Sequence, residues 1–177
     1  PILEEVACGF GEMYGFATDT EEAIGFAESV SVWAPFFDSI KGLQLLSSRY
    51  RLAIVSNVDD DLFSNSAKQL GSAFEHVVTA EQVRSYKPRP AHFHEVLRRL
   101  DLLPERVLHV AQSLYHDIGP AGELGLKTVW VNRRSGKDGG GGATKPSSAI
   151  PDLEVSDLMA LVDAVGIEPD LLTLREQ

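Results

Sequence analysis

The sequence predicts an α/β fold in which a parallel β-sheet carries helices on both faces. Short apolar segments at residues 52–55, 107–111 and 127–131 have the length and composition of buried strands, and helical patterns lie between them. Repeated β–α units of this size favour parallel strands, because the crossover helices cover the sheet. At 177 residues the chain is long enough for one well-packed domain with a small accessory lobe.

The first 31 residues show helical spacing without strand signals. Thr20, followed by Glu21 and Glu22, resembles an N-cap within this helical region. A helix over 39–48 is then expected to lead into the strand at 52–55. Four consecutive apolar residues in that strand predict that it is buried on both faces.

The remaining elements follow from turn and capping signals in the second half of the chain. They are a helix over 60–70 ending at Gly71, a strand over 76–79 with Thr79 opening a capping box, a helix over 91–100, a helix over 117–125, a linker-like loop over 133–148 containing Gly139 to Gly142, and a last helix capped by Ser156 and running to Val165.

Composition limits the class of protein. The net charge of −10 disfavours nucleic acid and anionic membrane surfaces as partners. A single cysteine, Cys8, excludes an intramolecular disulfide, favours a cytoplasmic location and is expected to be packed. No apolar run reaches the roughly 18 residues of a membrane span. Trp33, Phe36 and Phe37 are candidates for a homodimer contact, although packing under the accessory lobe, as a cap over the core, is the simpler alternative.

Polar side chains cluster at the carboxyl ends of the predicted strands or just beyond them. These ends meet in one crevice of a doubly wound sheet, so the residues can form a site for a small anionic substrate. The candidates are Ser56, Asn57, Lys87, Gln112, Ser113 and Asp117.

Each candidate has a simpler interpretation. Ser56 and Asn57 could cap the next helix, Lys87 could be an exposed lysine, and Asp117 could be the N-cap of the helix that follows it. Four of the histidines show no metal-ligand spacing with cysteines or acids and are interpreted as surface or satisfied side chains: His92, His94, His109 and His116.

The order of these segments resembles the haloacid dehalogenase superfamily over roughly residues 33–165. Ile54-Val-Ser-Asn57 is similar to its second motif, Lys87 in Tyr86-Lys-Pro-Arg-Pro90 to its third, and residues 112–117 to its fourth. Residues 125–133 resemble the strand that follows in the haloacid dehalogenase-like branch. The resemblance implies a Rossmann-like core over 32–177 and the remnant of a helical cap domain over 1–31.

The resemblance also implies a hydrolase that works through a covalent aspartyl intermediate. Ser56 and the Asn57 amide would bind the anionic group of the substrate, in a site that includes Gln112 and Ser113. Lys87 would hold the nucleophile ionised and balance negative charge in the transition state. Asp117 would orient Lys87 or, in phosphatase relatives, bind magnesium.

The first motif of that superfamily, which carries the nucleophilic aspartate, is absent. Asp19 is the single aspartate in residues 1–31, and no strand precedes it. The sequence is therefore expected to be a fragment of a longer polypeptide, inactive alone and without the core strand between those ending at Ser56 and Ala111. Direct pairing of these two strands, or a strand swapped from a second chain, would be alternatives.

Position 112 bears on the cofactor. Phosphatase relatives carry an acid where Gln112 stands, and Mg²⁺ favours carboxylate oxygen, so no cofactor is expected and Mg²⁺ is the alternative. Leu114 and Phe93 replace the asparagine and tyrosine expected of dehalogenases. The leading hypothesis is hydrolytic dehalogenation of a small 2-haloacid. The alternatives are a Mg²⁺-dependent phosphatase and an inactive binding module.

Overall fold

The computed structural model describes residues 2–135 and 144–168. Within these ranges the α-helices are α1 Ile2–Tyr14, α2 Thr20–Ser29, α3 Ser39–Ser47, α4 Asp60–Leu70, α5 Ala80–Val83, α6 Ala91–Leu100, α7 Gly119–Glu123 and α8 Leu158–Ala164. The strands are β1 Ala53–Ser56, β2 His76–Thr79, β3 Leu108–Ala111, β4 Lys127–Val131 and β5 Leu153–Val155. A π-helical turn, Leu114–Ile118, precedes α7.

All the described strand pairs are parallel, which confirms the α/β class. Helix α4 lies in the β1–β2 connection and α7 in the β3–β4 connection, as predicted. The strands form two groups, β1–β2 and β3–β4–β5, instead of one continuous sheet. In the described ranges β1 and β3 therefore do not pair with each other, so the alternative of direct pairing is wrong. The short strand β5 was not predicted.

Three buried clusters connect the helices to these strands. Val129, Leu161 and their neighbours pack α3 and α8 onto β4 and β5, while Val78 and Val96 pack α6 against β2. Phe93 of α6 belongs to a third cluster that includes Val55 of β1 and Val107, the residue before β3, and its ring also contacts His109 of β3. Helix α6 therefore holds the two groups together.

Several capping predictions change by one position or more. Asp19, not Thr20, caps α2, because its side chain accepts from Glu22 N at 2.8 Å in a full capping box. Asp157, not Ser156, caps α8, and its side chain accepts from Ala160 N. At Thr79 only half of the predicted box forms. The predicted end of α4 is confirmed, since Gly71 has a φ of 62°.

Burial corrects three further expectations. β1 is half-buried along its whole length, because its edge opposite β2 carries no strand in the described ranges. Cys8 is exposed and not packed. Within the described residues, no cap covers Trp33, Phe36 and Phe37, whose exposed fractions are 60%, 62% and 91%.

The loop prediction is tested only at its ends, since residues 139–142 lie outside the described residues. Asp38, in the loop before α3, accepts hydrogen bonds from both terminal nitrogens of Arg133 at 2.7 and 3.0 Å. It also accepts from Leu158 N at 2.8 Å, which ties α3, the end of β4 and α8 together.

In the described residues, no helix is long and apolar enough to cross a membrane.

Candidate active site

A buried ion pair lies between the two strand groups. Lys87 Nζ donates to Asp117 Oδ1 at 2.6 Å, and the exposed fractions of the two side chains are 9% and 10%. Charges this far from water are retained only when paired and hydrogen-bonded. The pairing of these two candidates agrees with the prediction that they meet at one edge.

The Lys87 ammonium also donates to the Val55 carbonyl of β1 at 2.9 Å. Leu52 and Val58 direct their carbonyls towards the β2 side, where Glu75 N and Ala80 N donate to them. Because backbone groups alternate sides along a strand, the Val55 carbonyl faces away from β2. The ammonium therefore lies at the edge of β1 that no described strand pairs with, the unpaired edge of β1.

Asn57 fixes the backbone of Lys87. Its Oδ1 accepts from Lys87 N at 2.7 Å, and its Nδ2 donates to Lys87 O at 3.1 Å. The side chain of α4's N-cap residue, Asp59, makes no capping bond. The alternative in which Asn57 caps α4 is therefore wrong. The Asn57 side-chain amide instead joins the segment after β1 to the backbone of Lys87.

Asp117 lies inside the π-helical turn and is not an N-cap. Ser113 begins that turn, and its Oγ accepts from His116 N at 3.0 Å. The Asp117 amide in turn donates to the Ser113 carbonyl at 3.1 Å. π-helical turns are rare and occur frequently at functional sites. Here the turn directs the Asp117 carboxylate towards Lys87.

Two histidines that sequence reasoning placed at the surface, or with satisfied nitrogens, are part of this region. The His109 Nε2 lies 3.1 Å from Asp117 Oδ1. His92 is fully buried, its Nε2 lies 3.1 Å from the Ser56 carbonyl, and its Nδ1 has no partner in the described residues. One signal was available for His109, a polar residue within the apolar strand segment 107–111.

The electrostatics of the site favour an ionised Asp117. Burial raises the pKa of this carboxyl, but the hydrogen bond from His109 and the positive charge of Lys87 outweigh burial and hold the pKa below its usual value. Burial and the Lys87 charge both lower the pKa of His92, so this ring is neutral at pH 7.

The remaining candidates, Ser56 and Gln112, accept hydrogen bonds through their backbone carbonyls. Ser56 is half-buried, and its carbonyl oxygen lies within hydrogen-bond distance of His92 Nε2. Since a carbonyl oxygen can only accept, His92 Nε2 is the donor. The Gln112 side chain is exposed, and its carbonyl accepts from Trp130 Nε1 at 2.8 Å. The structure therefore brings together Asn57, Lys87 and Asp117, with Ser113 as the cap that orients Asp117.

The described side chains around Asp117 do not by themselves form a magnesium site. In residues 2–135 and 144–168, no group of three or more His, Cys, Asp or Glu side chains could hold a metal ion. Asp117 Oδ1 is already bound by Lys87 and approached by His109. Mg²⁺ requires several oxygen ligands at short distance, and a cation such as Lys87 beside the carboxylate opposes its binding.

Comparisons with known proteins agree with the motif order. A family model described as haloacid dehalogenase-like hydrolase matches residues 26–131. The chain is similar to (S)-2-haloacid dehalogenase 4A of Burkholderia cepacia, with 31% identity over 51% of this chain and 40% of the relative. It is also similar to a glyceraldehyde 3-phosphate phosphatase of Methanopyrus kandleri, with 33% identity over 52% of this chain and 38% of the relative.

A solved structure extends the likeness to nearly the whole chain. The crystal structure of an L-2-haloacid dehalogenase matches with a TM-score of 0.76 and 25% identity, over 92% of this chain and 71% of that protein. The chain spans about two fifths of the length of the two curated relatives. Since the family model covers more than half of the 177 residues, this chain belongs to the haloacid dehalogenase-like hydrolase family.

Proposed function

We propose that this protein releases halide from a small 2-haloacid through an aspartyl-ester intermediate. The observation that carries the proposal is the buried Lys87 ammonium, held between the Val55 carbonyl and Asp117 at the unpaired edge of β1. A fixed cation shielded from water stabilises an attacking carboxylate and the charge that develops on a leaving halide. The similarity to curated 2-haloacid dehalogenases supports this substrate class.

The reaction is a displacement followed by hydrolysis. A carboxylate oxygen forms a bond to C2 of the 2-haloacid, and the halide leaves with the electron pair of the C–X bond. Water then adds to the ester carbonyl carbon and the acyl–oxygen bond breaks. This step releases the 2-hydroxy acid and one proton and restores the carboxylate. Ser56 and the Asn57 amide are proposed to bind the substrate carboxylate, beside Gln112 and Ser113.

The nucleophile is proposed to be an aspartate on a strand between β1 and β3. Both strands have an unpaired edge in the described ranges, and Lys87 lies at one of them. Asp117 is the one described carboxylate within 4 Å of Lys87 Nζ, and it serves as the partner of the lysine. In this proposal residues 1–31 belong to a helical cap and residues 32–177 to the core.

The test is halide release by the complete gene product from L-2-chloropropionate in the presence of a metal chelator. We expect turnover by the wild-type protein, loss of turnover in Lys87→Met, and wild-type turnover in Lys127→Met, whose exposed cation pairs with Asp152. In a single turnover in ¹⁸O-labelled water, the first product should lack ¹⁸O, because its oxygen comes from the carboxylate. Halide release by Lys87→Met at the wild-type rate would contradict the proposal.

A second candidate is a Mg²⁺-dependent phosphatase, favoured by the similarity to glyceraldehyde 3-phosphate phosphatases. Phosphate release from glyceraldehyde 3-phosphate that requires added Mg²⁺, without halide release, would select it. A protein that catalyses neither reaction and yet binds 2-chloropropionate would support the inactive binding module.

A further inference from the structure

His109 makes the second hydrogen-bond contact to Asp117. Its Nε2 lies 3.1 Å from Oδ1, the same oxygen that Lys87 Nζ approaches at 2.6 Å. The exposed fraction of the His109 side chain is 11%. An ionised carboxylate oxygen can only accept, so His109 Nε2 carries the hydrogen and donates it.

The ring of His109 is held in place by its neighbour on α6. The Phe93 and His109 ring centroids lie 5.1 Å apart at an interplanar angle of 82°, an edge-to-face contact. Phe93 is fully buried and has no polar atom, so it fixes the ring without competing for Asp117. His109 therefore reaches Asp117 from β3, while Lys87 bonds to β1 on the other side.

We propose that His109 is a positioning residue, which holds Asp117 so that this carboxylate directs the Lys87 ammonium to the unpaired edge of β1. The catalytic role of His109 rests on the proposed function. The hydrogen bonds that His109 and Lys87 donate to Asp117 are observed independently of that function. Without the His109 donor, Asp117 would be anchored at Oδ1 by Lys87 alone. The carboxylate and ammonium could then move together away from the edge.

The first test needs no substrate. Phenylalanine at position 109 keeps a ring against Phe93 and removes the donor, whereas glutamine can restore an N–H near the position of Nε2. The readout is the ¹⁵N-detected ammonium signal of Lys87, which is sharp only when the group is held and its protons exchange slowly. We expect the signal in the wild type and in His109→Gln and its loss in His109→Phe. His94→Phe, an exposed change on α6, should retain it.

An unchanged Lys87 signal in a folded His109→Phe variant would overturn the proposal. The wild-type protein supplies an independent check if that variant does not fold. The ¹⁵N shifts of the His109 ring must identify a proton on Nε2, and a ring protonated at Nδ1 alone would also overturn the proposal.

Kinetics separate positioning from a purely structural role. In His109→Phe we expect kcat for halide release to fall about tenfold, the effect of losing about 1.4 kcal/mol. KM should change by less than about twofold, since in this proposal His109 acts through Asp117. His109→Gln should recover most of kcat. Equal kcat in the wild type, His109→Phe and His109→Gln would overturn the positioning role of His109. A wild-type protein without halide release would refute the proposed function, while the ammonium signal would still decide the place of His109.

Discussion

At the scale of single residues, burial decides how much an ion pair contributes to stability. Lys87 and Asp117 are about one tenth exposed, whereas Lys127 and Asp152 are 65% and 43% exposed. We expect Lys87→Met to lower the free energy of unfolding by about 3–5 kcal/mol, because it leaves a buried carboxylate without its cation. Lys127→Met should lower this free energy far less, because solvent screens the exposed pair. Urea denaturation at pH 7 measures both, and equal losses would contradict the buried geometry.

His92 predicts a pH dependence at the same scale. Burial and the Lys87 charge lower its pKa in the folded protein below the 6.5 of an unperturbed histidine. As the pH falls through about 6.5, the unfolded chain binds more protons than the folded protein, so the folded state loses stability. We expect unfolding free energy to fall more between about pH 7.5 and about pH 5.5 in the wild type than in His92→Gln. Identical pH profiles would show that His92 does not stay neutral in the fold.

At the scale of elements, two helical glycines predict changes of opposite sign. A Cβ at Gly42 of α3 would meet the Leu158 Cβ of α8 at 2.7 Å, whereas a Cβ at Gly25 of α2 meets nothing within 4 Å. Gly42→Ala should therefore destabilise by about 1–3 kcal/mol through overpacking. Gly25→Ala should stabilise by about 0.5–1 kcal/mol, because alanine has the higher helix propensity. Thermal unfolding of both variants tests this, and shifts of the same sign would contradict the close packing of α3 on α8.

At the scale of the whole molecule, the two strand groups predict a pattern of amide exchange. Ile54 directs its amide towards β2, while the Val55 amide points to the unpaired edge that Lys87 contacts. For the 177-residue chain on its own, we expect Val55 to exchange much faster than Ile54 in a native-state hydrogen-exchange experiment. Val129 and Trp130 of β4, which is paired on both sides, are the protected controls. Equal protection of Ile54 and Val55 would mean that another strand covers this edge of β1.

The sequence predicted those parts of the molecule that depend on local pattern or on parallel topology. Helix α4 with its glycine C-cap, helix α6 and the meeting of Lys87 with Asp117 follow from these rules. The three-residue strand β5 is too short for a periodic signal. For His109 the sequence offers one hint, a polar residue inside an apolar strand segment, but its partner could not be predicted. The contact with Asp117 forms only when the chain returns through the π-helical turn eight residues later.

The hydrogen bond from the Trp130 indole to the Gln112 carbonyl has a spectroscopic consequence. The chain has two tryptophans, and Trp33 is the more exposed of them. A dissolved quencher such as iodide reaches exposed indoles first, so the fluorescence that persists at moderate iodide comes mainly from Trp130. The Trp130 N–H donates to the carbonyl of Gln112, the residue directly after β3. The Trp130 emission therefore reports events at the candidate site without any added label.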